Sequence, residues 1–393
     1  MARIMKVPLL DLVNQYEDIQ QELNDALLNV LKHQRGILGP EVQLLEQEIS
    51  AFCQSRFAVS VASGTDALLL SLQALGIGPH SGVITTPFTF FATVSSVVRL
   101  GARPFLCDID PKTYNLDPNA VESFLKRECA RDKNKTIHKK TRKVIAAMIP
   151  VHLYGQSADM KAFQKIANEW NIALVEDACQ AIGATFEGQQ AGTWGEFGAL
   201  SFYPSKNLGS LGDGGMVLTQ HKDLADKVRI LRVHGSDPKY HHKWVGINSR
   251  LDTLQAALLL VKLKYLGRWT KKRQQHAQFY DEKFQNIEEV KAPVIDSRAV
   301  SVFNQYVVRV KNRSQLIAHL DERGIGTEIY YPVPLHLQEC FVDLEYKKGD
   351  FPHAEKAAHE VLALPIYPEL TDEQKTLVVE EVKSFSLKKT VVR

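Results

Sequence analysis

Residues 201–215 decide the fold and read SFYPSKNLGSLGDGG. The apolar run at residues 198–203 predicts a strand, and one lysine, Lys206, follows where that strand ends. A lone lysine is most often a solvated charge, but the neighbours of Lys206 are apolar or small and a glycine-rich turn comes next. We therefore predict that Lys206 lies in a pocket, where desolvation lowers the pKa of a lysine and allows it to form a Schiff base.

A carboxylate follows another predicted strand, residues 172–176, in the sequence Asp177-Ala178-Cys179-Gln180. Ligands of open α/β sheets bind beyond the carboxyl ends of the strands. A carboxylate buried there needs a cationic partner, because burial of an unpaired charge is costly. The residues alone leave open whether Asp177 instead caps a helix that follows it.

A possible phosphate site, Ser63-Gly64-Thr65, follows a predicted strand and begins a helix. Free backbone N–H groups at a helix start suit a phosphate, although Ser or Thr at that position is usually only an N-cap. Pyridoxal phosphate (PLP) needs all three features: a lysine for its aldehyde, an aspartate for its ring nitrogen and a helix N-terminus for its phosphate. Because all three follow strands, the sequence predicts a PLP site.

The motifs around these residues resemble the DegT/DnrJ/StrS-type nucleotide-sugar aminotransferases, which have the fold-type I architecture of PLP enzymes. The resemblance runs nearly end to end, through PLLDLVNQY, GILGPEV, SGTDAL, TTPFTFFAT, IPVHLYGQ, EDACQAIGA, SFYPSKNLGSLGDGG, GINSRLDTLQAA and YYPVPLHLQ.

The resemblance implies a role for each matching residue at the cofactor. Asp177 would partner the ring nitrogen, Lys206 would be the Schiff-base lysine, and Phe90 would stack on the ring. The remaining cofactor-binding residues would be Gly64, Thr65 and Ser201 at the phosphate and Gln180 near the phenolic oxygen.

The resemblance also implies a homodimer with shared active sites. Asn248, in a GxNxR motif with Arg250, would reach the phosphate of the neighbouring subunit's cofactor. The segment containing Tyr330, Tyr331 and His336 resembles the part that approaches the sugar. Many relatives carry His-Tyr-Pro where this chain has Tyr330, so an imidazole role there does not transfer.

The resemblance implies that the chain moves an amino group from L-glutamate to a UDP- or dTDP-linked keto-sugar. The segments NSRLDTLQAA and YYPVPLHLQ most resemble enzymes that act at carbon 3 of the sugar. A 4-keto substrate is the alternative. Dehydratase relatives replace the lysine with histidine, which Lys206 argues against. A regulatory or binding protein of the same fold is a further alternative, but no helix-turn-helix or basic recognition helix favours DNA binding.

Composition limits the class of protein. The chain has 393 residues, of which 45% are hydrophobic and 24% charged, so bulk disorder is excluded. A net charge of +3 is too small to indicate nucleic acid. One segment is basic, since residues 126–143 hold nine Lys or Arg and two acids, and we expect it to be a solvated insertion.

The five cysteines are scattered without a CxxC motif, which favours reduced thiols, a cytoplasmic location and no metal site. We find no signal-peptide pattern, and the most apolar stretch, residues 254–261, is too short to span a bilayer, so we expect no membrane partner.

Strands alternating with helices predict an α/β fold with a mostly parallel sheet flanked by helices. We place this large PLP-binding domain at residues 55–250, after an N-terminal helical segment at 1–54. Residues 251–393 would hold a long linking helix and a smaller C-terminal α+β domain, in which residues 326–330 are predicted to form a strand.

Overall fold

A computed structural model describes residues 5–285 and 287–390, without the side chains of residues 387–390. The helices are α1 (Val13–His33), α2 (Pro40–Phe52), α3 (Gly64–Ala74), α4 (Ala92–Arg99), α5 (Pro118–Glu128), α6 (Met160–Trp170), α7 (Lys222–Leu231), α8 (Thr253–Phe284), α9 (Arg313–Asp321), α10 (Pro352–Glu360) and α11 (Asp372–Thr390). The strands are β1 (Phe57–Val61), β2 (Ser81–Thr85), β3 (Arg103–Leu106), β4 (Cys129–Asp132), β5 (Lys135–His138), β6 (Val144–Met148), β7 (Ala173–Asp177), β8 (Thr185–Phe186), β9 (Gln189–Gln190), β10 (Phe197–Ser201), β11 (Gly215–Thr219), β12 (Val290–Lys291), β13 (Ala299–Val300), β14 (Tyr306–Val310) and β15 (Val361–Leu364).

The main sheet has the order β1-β11-β10-β7-β6-β2-β3. Of these strands only β11 runs against the others, because it pairs antiparallel with both β1 and β10 while the remaining pairs are parallel. The prediction of a mostly parallel sheet is confirmed. The carboxyl ends of its parallel strands consequently meet at one edge.

Both faces of this sheet are covered, as a sheet made mainly of parallel strands requires. Alternate residues of β11 show why, since successive side chains on a strand point to opposite faces. Val217 packs in a buried cluster with residues of α3 and α7. Met216 and Leu218 pack with residues of α2 and α8. The expected α/β fold, with helices flanking the sheet, is thus the fold of this chain.

The C-terminal part has its own three-stranded sheet, in the order β12-β14-β15. Its core joins aromatic residues of α8 and β14, such as Tyr280 and Tyr306, to residues of α11. Val7 also belongs to this core and is tied to it by backbone hydrogen bonds of 2.8 Å with Gly324 and Gly326. The first described residues therefore pack against the C-terminal part, and the domain boundaries at 54 and 250 stay predictions.

Two local predictions differ from the structure. Residues 326–330 form no strand, since only Glu328 pairs there, with Ala363 of β15. The basic segment is not a plain loop but contains the β4–β5 hairpin, in which Ile137 of β5 pairs with Val144 at the start of β6. Its inward side is anchored by His138, whose ring centroid lies 4.5 Å from that of Phe105.

Across residues 5–285 and 287–390, no helix combines the length and apolarity that crossing a bilayer requires.

Candidate active site

A cavity of about 530 Å³ lies at the edge where the parallel strands end. Residues following β1, β2, β6, β7 and β10 contribute to it, together with residues of the C-terminal part. Its lining includes nine residues that the sequence predicts for the site: Gly64, Thr65, Phe90, Asp177, Gln180, Ser201, Lys206, Tyr330 and Tyr331. We call Gly64, Thr65, Asp177, Ser201 and Lys206 the anchor end, and Gln180, Gln305, Tyr330 and Tyr331 the tyrosine end.

Asp177 is the last residue of β7 and is only 6% exposed. Its Oδ2 accepts a hydrogen bond of 2.7 Å from the Thr93 hydroxyl, and its Oδ1 accepts one of 3.2 Å from the Cys179 amide. No helix follows it, so the helix-cap alternative is wrong. Within the described residues no Lys, Arg or His nitrogen lies within 4 Å of its carboxylate, so this buried charge lacks the cationic partner it needs.

Lys206 lies in the loop after β10, where its backbone amide donates to the Tyr203 carbonyl at 2.8 Å. The side chain is partly buried and lines the cavity, and no described residue accepts a hydrogen bond from its Nζ. Burial lowers the pKa of Lys206 below its ordinary value, and the nearby Cys179 and Asp177 oppose this shift only in part. The chain therefore places an amine with an increased neutral fraction beside the cavity.

The loop that carries Lys206 is held by two further side chains. Asn207 Nδ2 donates to the Val302 carbonyl at 2.9 Å, and the buried Lys262 donates to the Gly209 carbonyl at 2.7 Å. These bonds join the loop to α8 and to the segment before β14, so two other parts of the chain hold the loop that carries Lys206.

The start of α3 forms the opposite wall of the anchor end. Ser63 caps the helix, since its hydroxyl accepts from the Asp66 amide at 3.1 Å. The amides of Gly64 and Thr65 donate to no described residue, so the cap and an anion site coexist at this helix start. A Cβ on Gly64 would lie 2.8 Å from both Cys179 Sγ and Ser201 Cβ, so only glycine fits there.

The tyrosine end is built around Gln180. Its Oε1 accepts from the Tyr154 amide at 2.7 Å, and its Nε2 donates to the Tyr331 hydroxyl at 3.0 Å. The Tyr154 hydroxyl in turn donates to the Tyr330 carbonyl. Burial raises the pKa of Tyr331, so its phenol stays protonated at neutral pH. Phe90 remains 56% exposed at the cavity mouth, with its ring centroid 6.1 Å from that of Tyr331.

Three predicted site residues do not line this cavity. His336 is buried, with its Nε2 3.0 Å from Glu355 Oε1, so its position gives no support to a substrate contact. Asn248 is exposed and Arg250 is partly buried. α8 begins only at Thr253, with Asp252 as its N-cap, so neither Asn248 nor Arg250 caps this helix.

Sequence reasoning missed Thr93 and Gln305. Thr93 reaches Asp177 from α4, across 84 residues of sequence. Gln305 precedes β14 and lines the cavity from the C-terminal part. The only local signal was the four-residue spacing of Thr89 and Thr93, whose hydroxyls lie 3.0 Å apart.

The anchor end fits PLP on three structural grounds. Among the residues that the structure describes, the carboxylate of Asp177 has no cation beside it, the amine of Lys206 has no partner, and the amides of Gly64 and Thr65 are free. These are the groups that take the ring nitrogen, the aldehyde and the phosphate of that cofactor. Fold and site together define a PLP-dependent enzyme of fold type I.

The chain belongs to the DegT/DnrJ/EryC1/StrS aminotransferase family, whose model matches residues 17–383. It is 46% identical over 385 residues to the pleiotropic regulatory protein of Geobacillus stearothermophilus, covering 97% of this chain and 99% of that one. It is 40% identical over 364 residues to the UDP-2-acetamido-2-deoxy-3-oxo-D-glucuronate aminotransferase of Pseudomonas aeruginosa, covering 93% and 96%.

Among solved structures, NtdA from Bacillus subtilis with its bound cofactor PMP superimposes with a TM-score of 0.85. The two sequences are 31% identical, and the match covers 97% of this chain and 85% of that one. The family and this neighbour make the chain a PLP-dependent aminotransferase.

Proposed function

We propose that this aminotransferase moves an amino group from L-glutamate to the ketone of a nucleotide-linked sugar, at carbon 3. The observation that carries the proposal is the intact anchor end, in which Asp177 and Lys206 share one cavity with the free amides of α3. The Pseudomonas aeruginosa relative, named for a 3-oxo sugar linked to UDP, supports the position of the ketone. A dTDP-linked sugar or a 4-keto sugar is the alternative substrate.

PLP, when bound, supplies an aldehyde that exchanges the amino group and a ring that withdraws electrons. Asp177 would hold the proton on the ring nitrogen, the amides of Gly64 and Thr65 would bind the phosphate together with Ser201, and Phe90 would orient the ring. Lys206 would hold the aldehyde. Once released, its amine takes the proton from the α-carbon of the donor, and the lowered pKa of Lys206 favours the neutral form that a base needs.

The experiment on the substrate uses the two half-reactions separately. L-Glutamate converts the yellow enzyme to its colourless form, and a panel of keto-sugar nucleotides is then added. We expect a UDP- or dTDP-linked 3-keto sugar to restore the yellow colour. Return of colour with 4-keto sugars alone would move the ketone to carbon 4, and no response to L-glutamate would contradict the proposed donor.

The proposal includes a homodimer in which Asn248 serves the cofactor of the partner subunit. Asn248 is exposed and its side chain makes no hydrogen bond to the described residues of its own chain. It adjoins Ser249, whose hydroxyl accepts from the Ala62 amide at 3.1 Å, next to the phosphate-binding start of α3. This placement supports a role at a subunit boundary near the anchor end.

Mixing two inactive or impaired variants tests the shared site. Lys206→Ala and Asn248→Ala subunits are unfolded together and refolded. Half of the dimers are then mixed, and each rebuilds one complete site, so activity should return to roughly a quarter of wild type. Activity no higher than the sum of the two parent variants would contradict a shared site.

A regulatory function is the second candidate, because the Geobacillus stearothermophilus relative carries a regulatory name. A protein that only binds a partner would not need Lys206 in a desolvated position beside Asp177. Purified protein that is colourless and does not respond to added PLP would favour this second candidate.

A further inference from the structure

Two residues of the motifs IPVHLYGQ and EDACQAIGA, His152 and Glu176, form a pair that is 0% exposed and does not line the cavity. His152 Nδ1 accepts a hydrogen bond of 3.0 Å from the Ala158 amide, so the proton of the ring is on Nε2. This Nε2 donates to Glu176 Oε2 at 2.9 Å. The cofactor roles assigned above use neither residue, so the pair needs a different explanation.

The carboxylate of Glu176 accepts hydrogen bonds from a second part of the chain as well. Three backbone amides of the loop before β10 donate to it: those of Gly192 at 2.8 Å, Trp194 at 2.6 Å and Gly195 at 3.0 Å. Gly192 has a φ of +89°, and a Cβ on Gly195 would lie 2.2 Å from a backbone oxygen, so the loop needs glycine at both positions. With His152, four N–H groups use every acceptor site of this buried carboxylate.

The pair is joined to Asp177 through the backbone on one side of β7. Successive side chains of a strand point to opposite faces, so Glu176 lies on the other face of β7 from Asp177. The His152 amide donates to the Asp177 carbonyl at 3.0 Å, and the Asp177 amide donates to the Pro150 carbonyl at 3.0 Å. The bond from His152 to Glu176 therefore fastens the segment after β6 to the end of β7 that carries Asp177.

The strand on the other side of β7 is held by the same carboxylate. The loop whose amides contact Glu176 leads directly into β10, which pairs in parallel with β7 and places Ala199 opposite Asp177. The Ala199 carbonyl accepts a hydrogen bond of 3.0 Å from the Ala178 amide, next to Asp177. Glu176 thus draws one donor from the side of β6 and three from the side of β10, and it ties both neighbours of β7 to the strand end at the cavity.

We propose that His152 and Glu176 are positioning residues, which hold the carboxylate of Asp177 in place for the ring nitrogen of the cofactor. This assignment rests on the role of Asp177 in the proposed function. Rigid support of this kind matters because a small displacement of a catalytic group costs much of its effect. The pair would take no part in proton transfer, since neither side chain lines the cavity.

His152→Asn tests the assignment, because asparagine keeps an acceptor for the Ala158 amide but is too short to reach Glu176. The cofactor-free protein is titrated calorimetrically with PMP, the amine form of the cofactor, which binds without attachment to Lys206. We expect the affinity for PMP to fall about tenfold, and both half-reactions of the holoenzyme to slow by a similar factor.

His319→Asn is the matched control, because His319 makes the same kind of bond in the C-terminal part, with its Nε2 3.0 Å from Glu381 Oε2. Both variants should melt at a lower temperature than wild type, but only His152→Asn should bind PMP more weakly. His152→Gln still donates to Glu176 but loses the bond to the Ala158 amide, so its affinity for PMP should fall only about threefold. It replaces His152→Asn in the cycle below should that variant fail to fold.

A double-mutant cycle with Asp177→Asn shows whether the effect passes through Asp177. If His152 acts by holding that carboxylate, His152→Asn should weaken PMP binding in wild type and weaken it almost no further in Asp177→Asn. Equal losses in both backgrounds, or an unchanged affinity at a temperature where His152→Asn is folded, would overturn this assignment alone. Wild-type affinity for PMP in the single variant Asp177→Asn would instead contradict the role of Asp177 in the proposed function.

Discussion

The anchor end and the tyrosine end line the same cavity but are assembled in different ways. Residues of the anchor end lie at or just after the ends of β1, β7 and β10, which run parallel in one sheet, so the strand order itself brings them together. The tyrosine end joins the segment around Gln180 to Gln305, Tyr330 and Tyr331 from the C-terminal part. We infer that the first end fixes the chemistry and that the second selects the substrate.

The largest expected effect is at the anchor end. Lys206→Ala should fold but lose at least about 10³-fold in transamination, because it removes both the proposed attachment point and the proposed proton acceptor. Steady-state rates with L-glutamate measure the loss. Lys264→Ala is the matched control, since Lys264 lies on the surface of α8 in an ion pair with Glu22. Comparable losses in both variants would remove the distinction between the two lysines.

The next largest effect is expected for Asp177→Asn, with a loss of roughly 10²-fold in both half-reactions. A neutral amide cannot stabilise a proton on the ring nitrogen of the cofactor as a carboxylate does. The cofactor should remain bound, since Gly64, Thr65, Ser201 and Lys206 are unchanged. Stopped-flow spectra of each half-reaction check this. Near-normal rates would mean that Asp177 has only a structural role, as the acceptor of the hydrogen bond from the Cys179 amide.

Thr93→Val should cost about tenfold in both half-reactions, the effect of losing one hydrogen bond of about 1–2 kcal/mol to the Asp177 carboxylate. Thr89→Val removes a hydroxyl of the same kind that makes no bond to Asp177. A smaller loss in Thr89→Val than in Thr93→Val is expected. The reverse order would show that Asp177 is held in another way.

The smallest effect is on stability and follows from the lowered pKa of Lys206. Between that lowered pKa and the ordinary value near 10.4, the unfolded chain binds more protons than the folded chain, so the free energy of unfolding rises with pH. One proton contributes at most about 1.4 kcal/mol per pH unit. The free energy of unfolding of cofactor-free wild type should therefore increase relative to that of Lys206→Met as the pH rises. Urea unfolding of both proteins at several pH values measures this difference. A constant difference between the two curves would contradict a desolvated Lys206.

The same contrast explains what could be predicted from the sequence. Asp177, Lys206 and Gly64 were found because each follows a short apolar strand, and strand order then places them together. Thr93 and Gln305 were missed because their partners lie far away in sequence. His336 was assigned by its motif alone, yet Glu355 holds it in a buried position, which only tertiary packing decides.

The most direct test of the central claim locates the lysine that carries the cofactor. The yellow holoenzyme is reduced with borohydride, digested and mapped by mass spectrometry. We expect the pyridoxyl label on Lys206, the desolvated lysine that lines the cavity. A label on the buried Lys262 or on the exposed Lys264 would contradict this assignment.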